Sequence, residues 1–362
     1  MMEKIKYIIK ERTGAIVVPE NPGFGLLFSD HVFEMDYSPA LGWHNPTIKP
    51  LQNLSFHPAT MVLHYAQAVF EGLKAFKTED NEVVIFRPQK HLERLNRSAR
   101  RVCIPELDLD FVMEALKELV SIDHDWIPKK EGEALYIRPF LFGVDGALGV
   151  RPSGNYKFII LLSPVGAYYP EGFKPVKILA TDEYVRAVRK GLGECKTPAN
   201  YAASLLAAES ARKQGFTQVL WLDGIEQKYI EEVGTMNIFI HFKDEVATPK
   251  LTGGILPGVT RDSVINILKD RGENITERLI SIDEVVDAYK TGRLVGVFGT
   301  GTAAVISSVG TLVYKDTKMI FNEGKVGELD KQLLDTLSSI HYGRAEDKFN
   351  WLTHVSPKGV EV

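Results

Sequence analysis

The chain has 362 residues, 44% of them apolar and 25% charged, the make-up of an ordinary folded protein rather than of a disordered or repetitive one. Its length exceeds one ordinary core and falls short of three, so two domains are expected. A formal net charge of -4 gives no electrostatic footprint for nucleic acid, which favours a small-molecule partner.

The opening stretch carries basic residues together with Glu3 and Glu11 and lacks the apolar centre of a signal peptide. Glu82–Arg87 reads as a strand, and Leu92, Leu95, Ala99 and Val102 then recur at helical spacing. Residues 111–122 repeat that helical pattern. The runs 135–142 and 158–162 read as strands buried on both faces. The first part is therefore of α+β type. The most apolar stretch, 158–169, is too short to cross a bilayer, so no membrane partner is expected. Residues 164–175 are dense in Gly, Pro and aromatics and read as a connection, which divides the chain into 1–165, a loop 166–175 and 176–362.

Beyond it come a strand at 176–179, a helix from about Thr197 to Gln214, and strands at 218–222 and 236–242. Helices at 258–269 and 282–290, a strand at 294–298 and a helix near 329–340 complete the pattern. Only two cysteines occur, Cys103 and Cys195, without metal-ligand spacing, so neither a disulfide framework nor a zinc site is expected. With the opening stretch, this leads to the expectation of a cytoplasmic protein.

Four segments carry chemistry. Lys196 projects from a loop just before a helix that Thr197 can cap and Pro198 can begin. From this segment alone, an exposed loop lysine is the commoner reading. Glu231 and Glu232 precede an apolar strand, where a carboxylate could hold a proton on a pyridine-type nitrogen; acidic pairs are more often solvated turn residues. In Gly253-Gly-Ile-Leu-Pro-Gly-Val-Thr-Arg261 a glycine-rich turn runs straight into a helix, whose first amides can take a phosphate. Gly299, Thr300, Gly301 and Thr302 follow an apolar strand and read as a second phosphate-facing turn. This last segment fits neither the nucleotide P-loop nor the dinucleotide fingerprint.

In order and spacing, Cys195-Lys-Thr-Pro-Ala-Asn-Tyr-Ala-Ala-Ser204, Glu232-Val-Gly-Thr-Met-Asn237, Gly254-Ile-Leu-Pro-Gly-Val-Thr-Arg261 and Val297-Phe-Gly-Thr-Gly-Thr-Ala303 resemble the branched-chain amino acid aminotransferases, pyridoxal phosphate enzymes of fold type IV. The likeness continues in Leu63–Phe76, Phe86–Leu95 and Tyr136–Pro139 and covers nearly the whole chain. It implies a mixed α+β fold with a smaller N-terminal domain, a larger C-terminal domain that carries the lysine, and pyridoxal 5′-phosphate between them. It also implies a homodimer.

By resemblance, Lys196 binds the cofactor covalently and moves the substrate proton. Tyr201 touches the ring hydroxyl, Glu232 faces the ring nitrogen with Glu231 as a bystander, and Leu256 packs on the ring. Arg94, Val259, Thr260 and Thr302 take the phosphate, Arg94 through the planar fork that suits a dianion. Phe24, Tyr65, Phe70, Tyr136 and Tyr168 wall an apolar pocket, which rewards each buried CH₂ by about 0.8 kcal/mol. Thr235 and the Ala303 backbone face the α-carboxylate, and Arg138 receives the second carboxylate of glutamate.

The implied reaction is a reversible exchange of the amino group between L-leucine, L-isoleucine or L-valine and 2-oxoglutarate, with the matching 2-oxo acids and L-glutamate as products. Two alternatives use the same fold: a D-amino acid aminotransferase or aminodeoxychorismate lyase, and a non-catalytic binder of small molecules or anions. The chain departs from many members in having Pro198 and Ala199 where they carry two glycines, and it lacks the cysteine pair of some animal members near Ala304 and Ser307.

Overall fold

The computed structural model describes residues 3–11, 15–166 and 173–357. Most of the expected connection, 167–172, lies outside the described residues, as does Tyr168. The chain divides into two compact units. The first takes Met1–Pro170, Cys195–Pro198 and Ser338–Val362; the second takes Glu171–Glu194 and Ala199–Leu337.

Among the described residues the first unit is built on one nine-stranded sheet. Its order runs Lys6–Tyr7, Gly42–Pro50, His31–Ser38, Tyr156–Val165, Ala134–Gly143, Leu73–Lys77, Val83–Phe86, Leu352–Val355, with Ala68–Phe70 on Ala134–Gly143. The helices Pro88–Arg101 and Leu109–Ile122 bury Leu92, Leu95, Ala99, Val112, Leu116 and Leu119 in one core with Phe33, Ile85, Ile137 and Phe158. Asp108 starts the second helix by accepting the amides of Asp110 and Phe111. The C-terminal strand Leu352–Val355 pairs with Val83–Phe86. Because that strand and the lysine loop join the first unit, it holds the larger share of the chain, where the resemblance implied the smaller.

The second unit also holds one nine-stranded sheet among the described residues. The strand Ile230–Val233 pairs with both Gln218–Leu222 and Met236–Phe242, so the path through Val176–Thr181, Val305–Tyr314 and Leu294–Gly301 closes on itself. Closure leaves these strands without an open edge. Sequence reading found four strands here; the others escaped it because their alternation is short or interrupted, as by the paired glutamates of Ile230–Val233. The helices Val259–Asp270, Ile282–Lys290 and Glu328–His341 match the expected ones to within a residue or two. The helix Pro198–Lys213 begins one residue after the expected start, with proline at its first position.

Candidate active site

Lys196 sits two residues before the helix Pro198–Lys213, on a loop fixed by its own peptide groups. Its amide donates to Ser98 Oγ (3.0 Å), and its carbonyl accepts from the Phe70 amide (3.0 Å). Next to it, the Thr197 hydroxyl donates to the Ala68 carbonyl (2.8 Å), so it is tied to the sheet as well as standing before the helix. The lysine amine lies 4.8 Å from the centre of the Phe70 ring. Pro198 therefore does not leave the loop loosely held, since the neighbouring bonds on both sides come from the first unit's sheet and helix.

The same unit holds Arg94. Of the arginines on the helix Pro88–Arg101, Arg97, Arg100 and Arg101 are exposed, whereas Arg94 is 3% exposed. Its Nε donates to Glu71 Oε1 (2.6 Å) and its Nη2 to Oε2 (2.9 Å), a bidentate pair that fixes the plane of the guanidinium. His91 Nδ1 stands 2.8 Å from Glu71 Oε2, and the Gly72 amide donates to the same oxygen. Burial by itself would raise the Glu71 carboxyl, but Arg94 and His91 outweigh it and hold the group well below the usual carboxylate range. Burial lowers His91 against the pull of Glu71. Neither Glu71 nor His91 was singled out from sequence; the available signal was an acid inside an apolar run, Ala68-Val-Phe-Glu-Gly-Leu.

Of the residues expected around a substrate, Phe24, Phe70, Tyr136 and Arg138 come together. Phe24 packs edge-on against Tyr136 at 5.0 Å, and Arg138 lies 4.9 Å from the centre of Phe70 and 5.3 Å from that of Tyr136. Arg138 Nη2 donates to the Tyr136 hydroxyl (3.3 Å), and its Nε is buried without a hydrogen-bond partner. Gly72 makes room for this arrangement, because a Cβ there would lie 1.8 Å from the Tyr136 hydroxyl oxygen. Lys74, which sequence reading passed over, stands opposite Tyr136 in the sheet, and burial pushes its amine down to about 8. Tyr65 instead is 38% exposed at the end of the short helix Met61–Tyr65, donating to the Leu148 carbonyl.

In the second unit Glu232 is buried in the strand Ile230–Val233. Its Oε1 accepts the Leu256 amide (2.7 Å), and its Oε2 lies 3.0 Å from Arg186 Nε. Arg186, itself 9% exposed, also donates through Nη2 to the carbonyls of Gly193 and Gly254. No motif pointed to Arg186, which meets Glu232 only through the fold. Glu231 corrects an expectation: it is 3% exposed rather than a solvated turn residue, and it lies in the strand Ile230–Val233.

The turn before the helix Val259–Asp270 is shaped as its sequence suggested. Gly258 occupies the cap position and offers no side-chain oxygen to the amides that follow. A Cβ there would lie 1.9 Å from Asn237 Oδ1, and Asn237 Nδ2 in turn donates to the Leu256 carbonyl (2.8 Å). Val259 and Thr260 are both buried in that first turn, and Leu256 is half-buried just before it. The second glycine segment differs from expectation. Gly299, Thr300 and Gly301 lie within the strand Leu294–Gly301, because Thr300 pairs with Asn237 on one side and Ile306 on the other. Only Thr302 and Ala303 reach the turn that follows, and Thr235 lies in the turn Gly234-Thr235 at the same end of the sheet. Tyr201 is half-buried in the helix Pro198–Lys213.

Among the described residues no group of His, Cys, Asp and Glu could hold a metal ion, and no helix is long and apolar enough to cross a membrane.

The family pattern for class IV amino-transferases matches residues 68–310. Branched-chain-amino-acid aminotransferase 2 of Bacillus subtilis (strain 168) is 54% identical over 338 residues, covering 93% of both chains. Among solved structures, the T.th. branched-chain amino acid aminotransferase with pyridoxamine 5′-phosphate aligns with a TM-score of 0.76 at 27% identity. That alignment covers 91% of this chain and 99% of the other. The same enzyme complexed with N-(5′-phosphopyridoxyl)-L-glutamate aligns with a TM-score of 0.73 at 25% identity, over the same shares.

Proposed function

The chain belongs to the class IV aminotransferases, and we infer that it exchanges the amino group between L-leucine, L-isoleucine or L-valine and 2-oxoglutarate, with pyridoxal 5′-phosphate as carrier. When bound, that cofactor supplies a carbonyl carbon to hold the amino group and a ring that withdraws electrons from the substrate. The 2-oxo acids and L-glutamate are the remaining reactants of the exchange.

The observation that carries the reading is the lysine amine held over Phe70 on a loop bolted through Lys196 N–H and C=O. A covalent carrier and proton shuttle must return to one place each turnover, and a fixed backbone provides that. The donor set fits the cofactor. Gly258 gives the helix start no side-chain cap, and Val259, Thr260, Thr302 and the pinned Arg94 are the phosphate donors of this reading. Glu232, ion-paired and buried, supplies the carboxylate for the ring nitrogen; Leu256 and Tyr201 are the residues beside the ring. For substrate, Phe24, Phe70 and Tyr136 form the apolar wall, joined in this reading by Tyr65 and Tyr168. The unpartnered Nε of Arg138 suits the distal carboxylate of glutamate, while Thr235 and Ala303 receive the α-carboxylate.

A homodimer belongs to the same reading, and the exposed Leu63, Leu148 and Val150 of the first unit are apolar surface that a second copy would cover. A cytoplasmic setting follows from the same proposal, in keeping with a chain of only two cysteines.

Assay with 2-oxoglutarate and L-leucine, L-isoleucine, L-valine or D-alanine tests the activity. The three branched L-donors should each exceed D-alanine in kcat/KM by at least about 100-fold, the scale on which a fitted apolar pocket discriminates. D-alanine as the best donor would overturn the assignment. Gly258→Ala should weaken pyridoxal phosphate binding to the apoprotein by about tenfold or more, since the new methyl displaces Asn237 from the turn. Equal affinity in a fluorescence titration would remove this turn from the phosphate site.

A further inference from the structure

Two adjacent carboxylates, Glu231 and Glu232, are each 3% exposed, and the guanidinium of Arg186 is ion-paired with Glu232. Their surroundings are unequal. Glu232 has the Leu256 amide on Oε1 and Arg186 3.0 Å from Oε2. Glu231 Oε2 is buried with no hydrogen-bond partner, and its Oε1 faces Gly254 so closely that a Cβ there would lie 2.4 Å away. A side chain at Gly254 would therefore collide with Glu231, and the Gly254 carbonyl is one of the two that Arg186 binds. Arg186 is ion-paired with Glu232, and Arg189, the other cation near Glu231, is drawn to Glu226 at 4.0 Å, so the two buried carboxylates are short of positive charge and a proton is the cheapest remedy.

We propose that Glu231 takes that proton, leaving Glu232 as the ionised member, and so acts as a positioning residue that sets the charge beside Glu232. The proposal rests on the reading of Glu232 as the partner of the cofactor's ring nitrogen. Burial pushes the Glu231 carboxyl up to about 7; Arg186 and Arg189 pull it down, while Glu232 and Asp223 push it further up. Asp223 is itself occupied by the amides of Ile225, Glu226, Lys228 and Tyr229, which leaves it as a fixed charge. Below neutrality Glu231 is neutral and Arg186 compensates Glu232. As pH rises through neutrality Glu231 ionises, the cluster gains one negative charge, and a protonated ring nitrogen beside Glu232 is stabilised.

Glu231→Gln fixes the neutral form at almost unchanged shape. Infrared difference spectra of the apoprotein, wild type minus variant, should show a protonated carboxyl band that disappears between about pH 6 and about pH 8. Subtraction removes Asp330, which burial raises to about 6 and which both proteins share. In a Glu232→Gln background the band should vanish at lower pH, because Arg186 then serves Glu231 alone. In the holoenzyme the visible band of the bound cofactor should show a step near neutrality that Glu231→Gln lacks. Above neutrality kcat/KM of the two should diverge about tenfold, the worth of one pK unit. A difference spectrum without the carboxyl band overturns the protonation, and superimposable holoenzyme titrations overturn the link to the cofactor. If Glu232→Gln leaves the cofactor's spectrum and kcat unchanged, the reading of Glu232 fails instead, while the infrared result still judges Glu231.

Discussion

Lys196→Ala is expected to lower kcat by on the order of 10⁴-fold or more, since in the proposed function Lys196 is both the covalent anchor and the proton carrier. The substitution tests chemistry rather than folding. The bonds that hold the loop run from Lys196 N–H to Ser98 Oγ and from the Phe70 amide to the Lys196 carbonyl, and alanine keeps both. Circular dichroism and the urea midpoint should therefore match wild type, while the covalent trapping of pyridoxal phosphate by borohydride is lost. Transamination retained within about tenfold of wild type would show that another group performs the proton transfer.

Glu71→Ala should cost about 3–5 kcal/mol of stability, because it removes the bidentate carboxylate from a buried cation. Arg94 is 3% exposed and gives Nε and Nη2 to Glu71, with His91 on the same carboxylate. Without Glu71 the guanidinium must swing toward water or unfold its helix, and both disturb Pro88–Arg101 against the core. Urea unfolding of the apoprotein measures the loss; a change under about 1 kcal/mol would mean that the pair contributes no more than an exposed ion pair does. Glu71→Gln keeps the shape but only one acceptor oxygen, and should fall between wild type and Glu71→Ala. In the proposed function Arg94 takes the cofactor's phosphate, so cofactor affinity should drop in both variants, because Glu71 fixes the plane of its guanidinium.

How far such features could be read in advance depended on whether their cause was local. The helix Pro88–Arg101 is legible because Leu92, Leu95 and Ala99 repeat at helical spacing, and the turn at Gly258 because glycine and proline fix backbone angles within a few residues. Thr300 was misplaced in a turn because glycines on either side of it signal flexibility, while pairing to Asn237 and Ile306 keeps it in a strand. The strand Ile230–Val233 was hidden by its two acids, which pattern alone assigns to solvent.

The sequence by itself determined the ordered segments around Lys196, Glu232, Gly258 and Thr302, and with them the family and its chemistry, since each segment keeps its residue types contiguous. Tertiary structure alone decided what holds those groups. Glu71 meets Arg94 across 23 residues and Ser98 meets Lys196 across 98, while Arg186 reaches Glu232 from another part of its unit. The neutral Glu231 of the proposed cluster has the same origin. Desolvation and ion pairing act through space, and they fall steeply with distance, so only the folded chain sets them.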